Sequence, residues 1–346
     1  MTSHTRPDHE FEFIDRVTSL MKATRPDQTL VSFGDDGAVY RPTPGKAQVL
    51  TVDMLVEGVH FTRQTMSPVQ IGHKALAVNL SDLAAMGAVP AYFLISIGVA
   101  EDWTEKALQD IYVGMSRLAA AHRIDLIGGD TVTSPRQLVI SITAVGEADT
   151  QNLPLRSRAR PGHIVFVTGK LGLAAAGLHL LLQENVSQQE KERFAPLLKA
   201  HQEPDPHVQQ GQLIVHLAQD EPVALNDVSD GLASEANEIA QASGVDLVLE
   251  KKKLPTSRLL LDYAQLQGVD PYDWILTGGE DFVLTGTIAP ELFARLNQAF
   301  RHQGFPLYEI GRVVSGSGQV WLDDGGKIEP LKAMGYNHFK KRGGSP

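Results

Sequence analysis

The 346-residue chain contains no cysteine, which excludes disulfides, zinc–thiolate centres and thiol nucleophiles. Basic residues are in deficit. Only 31 Lys and Arg stand against 41 Asp and Glu, for a net charge of −10. That balance argues against a broad nucleic-acid surface, so no nucleic-acid partner is expected. It leaves anionic substrates open, because bound cations invert the local field. Long hydrophobic runs are also missing. The longest, over 88–100, is interrupted by Pro90 and Gly98; it is too short to span a bilayer and reads as a buried strand. The first ten residues are polar and lack the apolar segment of a secretory signal. A soluble, cytoplasmic protein with no membrane partner is the expectation. There is no GxxxxGKS/T phosphate loop and no HRD/DFG pair of a protein kinase. No repeat of about 20–50 residues is visible.

What the chain does have is carboxylates set in short Gly-, Ser- and Thr-rich stretches, which read as turns. They are Gly34-Asp35-Asp36-Gly37, Thr51-Val52-Asp53, Asn79-Leu80-Ser81-Asp82, Gly128-Gly129-Asp130, Asn226-Asp227-Val228-Ser229-Asp230-Gly231 and Gly278-Gly279-Glu280-Asp281. Aspartates at strand ends and helix starts, without competing thiols, suit hard divalent cations such as Mg²⁺. Asp36, Asp53, Asp82, Asp130, Asp227 and Asp230 are enough to serve several ions holding a polyphosphate. Asp-Gly is also common in ordinary turns, so the argument rests on their joint occurrence. Ser229-Asp230-Gly231 reads either as a helix cap or as an anion site at a helix N-terminus. Arg156, in Arg156-Ser157-Arg158-Ala159-Arg160, is either a solvated linker residue or a guanidinium reaching a phosphate. Lys74 reads as a surface lysine and His60 as a satisfied loop histidine.

Periodicity predicts an α/β (α+β) protein. Helices are expected over 11–21, 68–85 (capped by Ser67, with Pro68 first), 104–122, 169–182, 206–219, 234–243 and 290–302. Strands are expected over 49–56, 90–99, 138–145, 163–168, 223–228, 245–250, 281–287, 307–314 and 319–322. The stretch 148–162 has no hydrophobic period and reads as a linker, which divides the chain into domains 1–150 and 151–346.

The carboxylate stretches, in order along nearly the whole chain, resemble those of the thiamine-monophosphate kinase family. This family belongs to the aminoimidazole ribonucleotide (AIR) synthetase-like superfamily. The most specific run is Asn79-Leu80-Ser81-Asp82-Leu83-Ala84-Ala85-Met86-Gly87-Ala88. It is joined by 51–61, Asp227-Val228-Ser229-Asp230-Gly231-Leu232, Gly278-Gly279-Glu280-Asp281 and Gly335-Tyr336-Asn337-His338-Phe339. The resemblance implies a two-domain PurM/AIR synthetase-like fold, with an N-terminal ATP/Mg-binding domain that pairs in a homodimer. It implies phosphorylation of thiamine monophosphate by ATP as co-substrate, with several Mg²⁺ ions. By position it implies Asp36, Thr51, Asp53, Asp82, Asp130, Asp227 and Asp230 as metal ligands, with Asp230, Asp130 and Asp36 catalytic. Tyr112, Gly129, Asp130, Arg156 and Ser229 are implied as nucleotide contacts, and His60, Glu280 and Tyr336 as substrate contacts. The absence of cysteine argues against superfamily members that use a functional cysteine.

Overall fold

The computed structural model describes residues 9–334. The first half runs α1 (Glu10–Thr18), β1 (Thr29–Val31), β2 (Val39–Tyr40), β3 (Ala47–Val56), α2 (Pro68–Ala85), β4 (Val89–Val99), α3 (Glu105–His122), β5 (Asp125–Thr133) and β6 (Val139–Ala148). The second half begins with β7 (Ile164–Val167), α4 (Leu173–Leu182), α5 (Gln188–Arg193), α6 (Ala195–Gln202), α7 (Val208–Ala218) and β8 (Ala224–Asp227). It continues with α8 (Leu232–Ser243), β9 (Val245–Glu250), α9 (Arg258–Gln267), α10 (Pro271–Thr277), β10 (Leu284–Ile288), α11 (Pro290–Gln303), β11 (Tyr308–Ser315), β12 (Val320–Asp324) and β13 (Lys327–Pro330).

A four-stranded sheet in the order β3-β6-β4-β5 holds the first half, and a seven-stranded mixed sheet in the order β13-β12-β9-β11-β7-β10-β8 holds the second. The expected linker is not a free tether. Two short 3-10 turns, Thr150–Asn152 and Arg156–Arg158, fold it. Ser243 Oγ then pins it to α8, accepting from Ala159 N at 3.0 Å and donating to Arg156 O at 2.7 Å.

Helix α2 joins the halves. Its start is fixed by a capping box between Ser67 and Gln70, with Pro68 as its first residue, a combination that satisfies otherwise unpaired backbone groups. It packs on β3 and β6 of the first sheet and on α7 and β8 of the second half. Burial on both sides explains why it is apolar nearly all round rather than along one stripe. Its close crossing with α3 depends on two glycines. A Cβ at Gly72 would lie 1.8 Å from Ile111 O, and one at Gly114 would lie 1.9 Å from Val69 O.

The strand β3 alternates. Leu50, Val52 and Met54 are 68%, 63% and 54% exposed, while Leu55 is buried and Thr51 and Asp53 are half-buried, all three on the face covered by α2. Gly72→Ala is expected to cost about 1–3 kcal/mol by forcing α2 and α3 apart. Urea unfolding reads this directly, and an unchanged midpoint contradicts the close-crossing account.

Candidate functional site

Three carboxylates from three elements lie near one another around the C-terminal end of α2, close enough for their charges to act on each other. Asp53 comes from β3, Asp82 from the last turn of α2 and Asp227 from the end of β8. Thr51 donates to Asp82, and Asp53 and Asp82 are themselves hydrogen-bonded. Ser81, one residue before Asp82, donates to Asp227 Oδ2 at 2.7 Å, across 146 residues of sequence. Burial, and then the charge of Asp82, push Asp53 up to about 7. Asp227 is likewise raised to about 7, by burial first and by Asp82 next. Burial raises Asp82 too, against the Thr51 hydrogen bond and the Arg156 charge. These groups therefore repel one another in a poorly solvated place, and a nearby cation relieves that repulsion. The donors are carboxylate and hydroxyl oxygens, the set a hard divalent ion takes. Among the described residues no three or more His, Asp or Glu side chains close around one point. A Mg²⁺ ion usually takes one or two protein carboxylates and completes its octahedron with water and substrate phosphate, so the donor set fits it.

Arg156 supplies the positive charge beside them. Of the three arginines in its patch, it is the one whose charge acts on Asp82 and Asp227. Its Nη2 donates to Asn226 Oδ1 at 2.8 Å and its Nε lies 3.2 Å from Glu238. Asn226 passes the contact on, donating to Glu235 Oε2 at 2.6 Å. Glu235 in turn accepts from Asp230 N at 3.0 Å. That bond shapes the turn Ser229-Asp230-Gly231 ahead of α8, where Gly231 holds φ +114°. Burial raises Glu235 to about 8. Asn226, Glu235, Glu238 and Ser81 went unassigned by sequence reasoning. Asn226 and Ser81 sit inside the specific motifs, but only the fold shows what they touch.

The Gly278-Gly279-Glu280-Asp281 stretch lies against this turn. A Cβ at Gly279 would lie 2.5 Å from Ser229 O, so only glycine fits there. Glu280 (φ +67°) and Phe282 (φ +49°) occupy the left-handed region, at about 1–2 kcal/mol each for non-glycine residues. Irregular backbone therefore occupies 281–283, and the strand expected from 281 begins at Leu284. Asp281 caps α4, accepting from Gly172 N at 2.6 Å. His60 closes the turn after β3. Its Nδ1 accepts from Val56 N at 3.0 Å, which places the proton of the neutral ring on Nε2.

Other expected residues lie apart from the three carboxylates. Gly128-Gly129-Asp130 is part of strand β5, not a turn. Gly129 permits the pairing, since a Cβ there would meet Ile95 O at 2.1 Å. Across the sheet, Asp53 pairs with Ile142 and Ile142 with Ile95, opposite Gly129. The next row runs Met54, Ser141, Ser96, Asp130. Directly paired residues point to the same face. Asp130 therefore opens on the exposed face of Met54, while Asp53 faces α2. Asp36 lies in an exposed turn between β1 and β2.

Tyr112 is buried on α3, edge-on to Phe13. One expectation is corrected. Lys74 is no surface lysine but fully buried. Tyr336 lies outside the described residues.

The chain matches two family models, AIR synthase related protein, N-terminal domain, over residues 34–148, and the corresponding C-terminal domain over 160–323. It is 41% identical to the thiamine-monophosphate kinase of Bacillus subtilis, covering 96% of this chain and 99% of that protein. The crystal structure of thiamine-monophosphate kinase from Stenotrophomonas maltophilia superimposes with a TM-score of 0.80 at 34% identity, over 91% of this chain and 96% of that one. The AaThiL complex with AMPPCP and TMP superimposes with a TM-score of 0.74 at 33% identity, over 95% and 97%. With both halves and the specific motifs matched along nearly its full length, the chain belongs to the thiamine-monophosphate kinase family of AIR synthase related proteins.

Proposed function

We propose that this chain moves the γ-phosphoryl group of ATP directly onto a phosphate oxygen of thiamine monophosphate, giving thiamine diphosphate and ADP. The phosphotransferase activity follows from family membership. The observation that carries the mechanism is that Asp53, Asp82 and Asp227 lie within reach of one another's charge and of Arg156. The acceptor oxygen is already anionic at neutral pH, so no strong general base is required. The barrier lies in bringing two anions together in line and stabilising the transferring group. Asp53, Asp82 and Asp227, with Thr51, would share several Mg²⁺ ions, one or two carboxylates to each. Such ions would supply charge neutralisation and a template for the two phosphates. Arg156 and the amides at the start of α8, after Ser229-Asp230-Gly231, orient the polyphosphate.

We read the domain boundary near residue 150 and the working form as a homodimer. Leu50, Val52 and Met54 form an exposed apolar row on the sheet face opposite α2, a surface that a monomer rarely leaves bare. Asp130 shares that face. Asp130, and Asp36 in its exposed turn, are taken to act where two copies meet rather than among the three inner carboxylates. Among the described residues no helix is long and apolar enough to cross a membrane; a cytoplasmic location is our reading.

Purified chain with ATP, Mg²⁺ and thiamine monophosphate is expected to form thiamine diphosphate, to stop on chelation by EDTA, and to carry no labelled phosphate in a rapid quench. Labelled Asp or His contradicts direct transfer. Asp82→Asn is expected to lower kcat by more than the roughly 10–100-fold that loss of an outer-shell partner costs; wild-type kcat contradicts the metal role. Val52→Asp is expected to sediment as a monomer where the unaltered chain sediments as a dimer, and a monomeric unaltered chain contradicts the interface.

A further inference from the structure

Lys74 reaches Glu280 from α2, and His201 reaches it from the end of α6. Lys74 Nζ lies 2.7 Å from Glu280 Oε1, and His201 Nδ1 lies 2.9 Å from Oε2. Both basic side chains are 1% exposed, against 28% for Glu280. Neither Lys74 Nζ nor His201 Nε2 has another hydrogen-bond partner among the described residues. Both oxygens of the carboxylate are thus engaged by groups within the protein, and the buried lysine charge is answered by Glu280.

The backbone around Glu280 is tied to the phosphate side of the site. Glu280 N donates to Ser229 O at 2.7 Å, Phe282 N donates to Val228 O at 2.9 Å, and Val228 N donates to Val283 O at 2.8 Å. Between these bonds, Glu280 and Phe282 hold left-handed conformations that side-chain-bearing residues avoid. Such a segment keeps its shape only when its surroundings impose it, and the ion pairs to α2 and α6 do so from outside.

We infer that Glu280 is a positioning residue. Its carboxylate, clamped by Lys74 and His201, sets the Val228-Ser229-Asp230 segment relative to Asp82 on the same α2 helix. The inference rests on the kinase reading, and it makes Lys74 and Glu280 one functional unit although they lie in different halves of the chain.

The test is a double-mutant cycle on Lys74→Met and Glu280→Gln, read as kcat and as KM for thiamine monophosphate. Each single variant is expected to lose activity chiefly in kcat. The double variant is expected to equal or exceed Glu280→Gln, a coupling of about tenfold or more relative to the product of the single losses. Losses that multiply, or a KM raised by Glu280→Gln and untouched by Lys74→Met, overturn the proposal. Should Lys74→Met fail to fold, the double variant has no unpaired buried lysine and carries the comparison: activity about tenfold or more below Glu280→Gln refutes the unit. If the unaltered chain makes no thiamine diphosphate, the kinase reading fails instead. The same cycle read as melting temperature then decides the clamp. A double variant at least as stable as Glu280→Gln supports it, and additive losses refute it.

Discussion

Ser81 and Asp82 are consecutive residues in the last turn of a helix buried between two sheets. Ser81 holds Asp227 of the second half, while Asp82 meets Asp53 and Thr51 of the first. The geometry of the site therefore depends on how α2 is seated. A shift of that helix along its axis would separate all three carboxylates together. The capping box fixes where the helix begins, and the glycine crossing with α3 fixes its depth. The same helix carries Lys74 to Glu280, so a second contact between the halves lies on the same rigid element.

The electrostatics follow from that seating. Gathering aspartates where water is scarce raises each of them, and Asp53 and Asp227 are pushed to about 7. Glu280 behaves in the opposite sense. Burial alone would raise it, but Lys74 and His201 outweigh burial and hold it down at about 2. The two groups of acids are built for different work. The first is short of positive charge and suits a cation with its phosphates. The second is already neutralised within the protein and suits holding a loop in place.

Much of this was legible in the sequence. The Ser67-Pro68 start, the helix running to residue 85 and the pattern of β3 all follow from local chemistry, and the structure reproduces them. The family resemblance already implied Asp53, Asp82 and Asp227 as ligands. Strand β5 was missed because two glycines before Asp130 look like a turn, whereas here they allow close pairing with β4. Which face Asp130 takes depends on cross-strand register, and no local pattern encodes that. Lys74 looked solvated because a lysine on a helix usually is; its burial becomes visible only once Glu280, from the other half, arrives beside it. Glu235 and Asn226 form their contact across a strand-to-helix turn that had no reason to be read as a network.

The central claim is that Asp53, Asp82 and Asp227 hold divalent metal between two phosphorylated substrates. Anomalous scattering from a crystal grown with Mn²⁺, a non-hydrolysable ATP analogue and thiamine monophosphate tests it most directly. The account predicts manganese peaks bridging these carboxylates to phosphate oxygens. Phosphates bound with manganese elsewhere, and these three side chains left without metal, would contradict it.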